Sequence, residues 1–271
     1  MIQISPAVKH LLFINILVFL GALLLARSGM VPDIQSILAL HYPGSDLFKP
    51  FQIVTHFFMH DLSNLFHLFF NMFALVMFGS ILEMHWGSNR FLLFYIVCAL
   101  GSALLHTLFN YIEISPLQHA LAAFQASPDL DTFWAYFNKT GLADLPENAD
   151  AFREMSAGIR SGSADAIAFA TTQMQTHLKM MMDGGAVGAS GAISGLLVAF
   201  GMMFPNAPLM LIFLPVPVKA KYFIPALLLV EVFLARQQYA WDNIAHYAHL
   251  GGALTGFLLI LYWQRYGSRL L

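Results

Sequence analysis

Chemistry is most concentrated where a serine sits among glycines. Residues 184–195 read Gly-Gly-Ala-Val-Gly-Ala-Ser-Gly-Ala-Ile-Ser-Gly, and Ser190 lies a few residues inside an apolar run at its N-terminal end. The first backbone N–H groups of a helix have no partner there, and the helix dipole is positive, so a developing oxyanion is favoured. Gly188 and Gly191, on either side of the Ala189-Ser190 pair, leave room for a substrate backbone. The plain alternative is a face of small residues for helix packing. Ser194, one turn deeper on the same face, is a second hydroxyl that spacing alone does not separate from Ser190.

A base for such a hydroxyl is available near the C-terminus. His246 and His249 are three residues apart and share a helical face, and His249 continues into Gly252 and Gly256. A Gly-x-x-x-Gly stripe permits close helix approach, which would bring an imidazole within reach of a neighbouring helix. Imidazole is the usual partner of an otherwise unreactive serine hydroxyl. A third apolar run carries His60, Asn64, His67 and Asn71, spaced four, three and four. His67 and Asn71 read as two donors aimed at an oxyanion. Structural hydrogen bonding inside a helix bundle would also explain each of these polar residues taken alone. Three separate runs each supplying one part of an acyl-transfer site is a rarer coincidence.

An acid to complete a triad is not evident. Neither the serine run nor the histidine run contains a carboxylate; Asp242 precedes the histidine run, and Glu231 sits in the run before it with no motif tying it to His249. An aspartate at mid-bilayer costs roughly 2.5–3.5 kcal/mol on insertion scales, so a Ser–His dyad is the economical reading. A rival reading uses the histidines as zinc ligands, either His56, His60 and His67 or His246 and His249. It lacks a His-Glu-x-x-His motif and an accompanying intramembrane carboxylate, so neither a metal nor another cofactor is expected.

Composition defines the elements that must position these groups. Of 271 residues 58% are hydrophobic and 10% charged, where soluble domains carry about 25% charged residues. The excess apolar surface must face lipid. A net charge of −2 with no Lys/Arg run excludes nucleic acid as a partner, and the single Cys98 excludes an internal disulfide. Apolar runs predict six spans: Leu11–Ala26, Leu62–Leu82, Phe91–Tyr111, Gly184–Phe204, Tyr222–Ala235 and His246–Trp263. The first also resembles a cleaved signal peptide, a reading set aside because the later spans need it for orientation. With the N-terminus inside, Lys9, Arg90, Lys219, Lys221, Arg265 and Arg269 are inside and Arg27, Lys49 and Arg236 outside, which favours both termini on the cytoplasmic side.

Two loops stand out. Residues 27–60 are rich in phenylalanine and are expected to lie against or within the bilayer. Residues 112–183 hold nine of the fifteen acidic residues and read as an outward-facing helical insertion. Short amphipathic helices are expected at Phe133–Phe137 and Ala164–Met182, with breaks at Pro128, Gly141 and Pro146.

At these residues the sequence resembles the rhomboid intramembrane serine proteases over nearly all of the chain outside 112–183. The family's Gly-x-Ser-Gly matches Gly188-Ala189-Ser190-Gly191, its histidine with glycines three and seven residues on matches His249, Gly252 and Gly256, and its His-x-x-x-Asn matches His67 to Asn71, followed by Gly79 and Glu83. The resemblance implies an all-α, polytopic bundle of six transmembrane helices in one domain, 1–271, with the insertion between helices three and four. It further implies a bacterial inner membrane location and transmembrane protein substrates, cut in or near their spans. Ser190 would be the nucleophile in preference to Ser194, and His249 the base in preference to His246. An oxyanion site would come from His67, Asn71 and the Ser190 N–H, with Gly188, Gly191, Gly252 and Gly256 supporting helix packing. A rhomboid-like protein that binds clients without cutting them is the remaining alternative. The departure from compact bacterial members is the insertion, which could shape substrate access.

Overall fold

The computed structural model describes residues 4–211, 214–237 and 245–266. Helices dominate, and the chain divides into two compact units: residues 1–41, 47–107 and 185–271, and residues 42–46 with 108–184.

The first unit is a helical membrane bundle. Helix α1 (Pro6–Arg27) has proline at its first turn and buries a stripe of Val8, Leu11, Asn15, Phe19 and Ala22. Phe13, Leu17, Leu20 and Leu24 remain exposed on its other faces, an arrangement suited to lipid. Its N-terminus is capped from elsewhere: Ser5 Oγ donates to the Glu83 carboxylate, as do the N–H groups of Ala7 (2.8 Å) and Val8 (2.9 Å). A carboxylate at the positive end of a helix satisfies donors that would otherwise be orphaned in an apolar setting.

Glu83 belongs to α2 (Leu65–Trp86), which starts at an Asn64 cap, contains a π-turn at Leu75–Gly79 and stops at Gly87, φ +77°. Ser88 Oγ, at the start of α3 (Ser88–Ala126), donates to the same carboxylate at 2.6 Å. These three helices are long and apolar enough to cross a membrane by themselves. The shorter serine helix α7 (Ser190–Met203) is apolar too, and α8 (Ala220–Gln237) and α9 (His246–Tyr266) cover the fifth and sixth expected spans. Helix α7 packs most extensively on α9. Between α7 and α8 lies an antiparallel pair, β1 (Pro208–Leu211) with β2 (Leu214–Lys219), registered as Pro208 opposite Lys219 and Leu209 opposite Val218.

The second unit has its own core. Helix α3 continues through Pro116 to Ala126, fifteen residues past the expected end at Tyr111. Onto its C-terminal half pack α4 (Leu130–Phe137), α5 (Ala149–Arg160) and α6 (Ala164–Asp183), burying Ile114, Phe124, Phe133, Phe152, Met155 and Met174 together. Asp129 and Thr132 form a reciprocal capping box on α4, and the Ser163 hydroxyl caps α6 by accepting from the Ala166 N–H. Helix α5 was not expected from the sequence. Its apolar stripe is only Phe152, Met155 and Ile159, set among charged residues.

Candidate active site

Backbone hydrogen bonds from the loop between α1 and α2 place the segment that leads into Ser190. Leu40 and Ala186 exchange a pair of them, 2.9 and 3.0 Å, and the Gly188 N–H donates to the His56 carbonyl at 2.9 Å. The loop is itself organised by buried Gln52, whose amide donates to the Ile37 and Leu47 carbonyls and whose carbonyl accepts from the Lys49 N–H. Gly188 then adopts φ +124°, where a side chain would be strained, and a Cβ there would stand 2.8 Å from His67 Nε2. Two residues on, the chain enters α7 at Ser190.

Glycines let α9 come close enough to reach that serine. A Cβ on Gly252 would run into the Gly191 carbonyl, one on Gly256 would be 2.8 Å from Gly195 Cα, and one on Gly191 would strike the Ser102 hydroxyl of α3. At this separation His249 Nε2 and Ser190 Oγ are 2.8 Å apart, with His249 partly buried. Ser194 is not at the imidazole; its hydroxyl donates to the Ser190 carbonyl one turn back, at 2.9 Å.

On the other side of Ser190, His67 packs against Gly188. Its Nδ1 accepts from the Asp61 N–H at 3.4 Å, which leaves the proton on Nε2, the nitrogen nearest Gly188. His60 packs its ring against His67 at 5.3 Å and is fully buried, with neither ring nitrogen hydrogen-bonded. Asn71, buried one turn below His67, donates one amide N–H to the His67 carbonyl at 2.7 Å. An amide carries two such donors.

The carboxylate that sequence reasoning did not connect to His249 is Glu231. It is the one acid of α8. Its Oε2 lies 3.1 Å from His249 Nδ1 and 2.5 Å from His246 Nδ1. The expectation of no metal rests in part on no intramembrane carboxylate accompanying this histidine pair; Glu231 does accompany it, and the three ligand atoms all lie within 4.8 Å of one another. The available signal was an ionisable residue in an apolar helix, which marks function by default. Asp242, the other acid considered near His249, lies outside the described residues.

Ser190 and His249, nominated from separate apolar runs, therefore meet at hydrogen-bond distance, flanked by His67 on one side and Glu231 on the other. Residues 48–116 and 157–266 match the Rhomboid domain. Over 80 residues the chain is 35% identical to "Rhomboid protein 1, mitochondrial" of Saccharomyces cerevisiae, an alignment covering 30% of this chain and 22% of that protein. The chain thus spans about a fifth of that relative, whereas the domain match takes in well over half of the chain itself. Helical bundle, serine and histidine motifs and domain match lead to one assignment: this chain is a member of the rhomboid family of polytopic membrane proteins.

Proposed function

We propose that the chain is an intramembrane serine endopeptidase that cuts transmembrane segments of membrane-protein substrates. The observation that carries the reading is the 2.8 Å contact between His249 Nε2 and Ser190 Oγ. In the proposed reaction the Ser190 oxygen attacks the scissile carbonyl carbon while His249 accepts the hydroxyl proton. Collapse of the tetrahedral intermediate breaks the peptide C–N bond, and His249 returns the proton to the leaving amine. Water then adds to the acyl-serine with His249 again as base, releasing the new carboxyl end and restoring the serine.

The negative oxygen would be held by the Ser190 N–H at the start of α7, by the Nε2–H of His67 and by the second N–H of Asn71. The hydrogen bond from the Asp61 N–H supports that tautomer of His67. The charge distribution supports cytoplasmic termini, and with them an outward-facing insertion at residues 112–183.

Co-expression with a panel of tagged transmembrane substrates tests the proposal. Wild type should release a fragment and react with a fluorophosphonate at Ser190, whereas Ser190→Ala and His249→Ala should do neither. Equal cleavage by all three would refute it and leave a client-binding role.

A further inference from the structure

We infer that Glu231 is a positioning residue for His249, turning the dyad into a Ser190–His249–Glu231 relay whose carboxylate is anchored by His246. The inference rests on the protease reading above and deepens it.

Glu231 is the one acid of the apolar helix α8, and its neighbours three and four residues away on the same face are Leu227, Leu228, Leu234 and Ala235. A carboxylate in such surroundings is retained only where donors compensate its desolvation. Here both donors are imidazoles, three residues apart on one face of α9, and both reach the same oxygen, Oε2. Each donates from Nδ1. A proton held on His249 Nδ1 leaves the lone pair on Nε2, and Nε2 is the nitrogen that faces the Ser190 hydroxyl at 2.8 Å. Glu231 therefore selects the tautomer that can act as a base.

The carboxylate also has a second effect. When His249 takes the Ser190 proton it becomes a cation inside the bundle. Three imidazoles lie within reach of it: His246 from its own helix, His67 from α2 and His106 from α3. Among the described residues Glu231 alone offers His249 a negative charge in contact. His246, held more tightly at 2.5 Å, keeps the carboxylate from turning away.

In a soluble triad, losing the acid's charge costs about 10⁴ in kcat. A smaller effect is expected here, because the 3.1 Å contact exceeds the roughly 2.7–2.9 Å of a strong charge-assisted bond and Oε2 is shared. Purified full-length Glu231→Gln should therefore cleave a fluorogenic transmembrane peptide with kcat reduced about 10- to 100-fold at unchanged KM. Fluorophosphonate labelling of Ser190 should slow by the same factor. Glu231→Asp should recover part of the loss, and the melting temperature in detergent should stay close to wild type.

A kcat for Glu231→Gln within twofold of wild type overturns the inference, as does an equal loss in Glu231→Gln and Glu231→Asp. If Glu231→Gln does not fold, Glu231→Asp decides: lowered kcat at constant KM supports the relay, and wild-type kcat refutes it. A zinc chelator should leave wild-type activity intact; chelator inhibition would mean that the three side chains hold a metal instead of one another, and would also refute it. Cleavage by Ser190→Ala or His249→Ala would sink the protease reading itself, whatever Glu231 does.

Discussion

Substituting Gly256 measures how much separation the site tolerates. A methyl group there would lie 2.8 Å from Gly195 Cα and 2.9 Å from its carbonyl oxygen, whereas ordinary contact begins at 3.4 Å, a shortfall of about 0.6 Å. Gly195 is backbone and cannot rotate aside, so α9 must back away from α7 by about that amount. His249 is two turns, or about 10 Å, along the same helix. A rigid shift lengthens the His249–Ser190 contact from 2.8 Å to about 3.4 Å, the edge of a useful hydrogen bond. Gly256→Ala should lower kcat about tenfold with KM unchanged, and overpacking should cost about 1–3 kcal/mol of stability. Gly252→Ala places its methyl on the Gly191 carbonyl, beside Ser190 itself, and should cost about 100-fold or more, as displacements near 1 Å do. Single-turnover cleavage in proteoliposomes, with thermal melting as the folding control, reads both variants. Wild-type kcat in Gly252→Ala, or a larger loss in Gly256→Ala than in Gly252→Ala, would refute the argument that glycine contacts set the catalytic distance.

Three further outcomes follow from other parts of the molecule. Asn71→Ala should lose about 2.7–4 kcal/mol of transition-state stabilisation, impairing cleavage without abolishing it; kcat/KM on the fluorogenic peptide checks this. Glu83→Gln removes an acceptor from the N-terminus of α1 and should cost about 1–2 kcal/mol in detergent unfolding while leaving the reactivity of Ser190 in the folded fraction unchanged. In the insertion, burial holds the His177 imidazole below its usual value, next to the Tyr136 hydroxyl at 3.0 Å. A folded pKa below the unfolded one means that stability is lost as pH falls below about 6.5. Hydrogen exchange in α6, corrected for intrinsic rate, should therefore be faster at pH 5.5 than at 7.5. His177→Gln should lose that difference; an unchanged difference would contradict the assignment.

The helices of the bundle are legible in hydropathy because lipid-facing and core-facing residues are both apolar, leaving runs long enough to count as spans. Ser190, His249, His67 and Asn71 could be nominated because polar groups are scarce in such runs and their offsets to glycine are local. Glu231 was visible as an anomaly, but its pairing depends on how α8 crosses α9, information that no spacing within either helix contains. The length of α3 was hidden by Pro116: proline removes one hydrogen bond and crowds the preceding turn, yet the apolar contacts of Ile114, Leu117 and Leu121 hold the helix through it. Helix α5 was missed because three apolar side chains in twelve residues gain stability only against α4 and α6, a tertiary effect. The β-hairpin between α7 and α8 is too short for its alternation to stand out from a loop.

The pairing of Leu40 with Ala186, and of Gly188 with the His56 carbonyl, ties the loop before α2 to the segment that leads into Ser190. The same loop turns Phe51, Ile53 and Val54 outward, where hydrocarbon is their natural surroundings. On the proposed membrane setting, the depth of those side chains would bear on the backbone beside Ser190, through hydrogen bonds whose N–H donors only a proline would remove. On the proposed function, a bilayer whose thickness lifts or sinks that loop would shift the backbone leading into Ser190, with no ligand and no change in sequence.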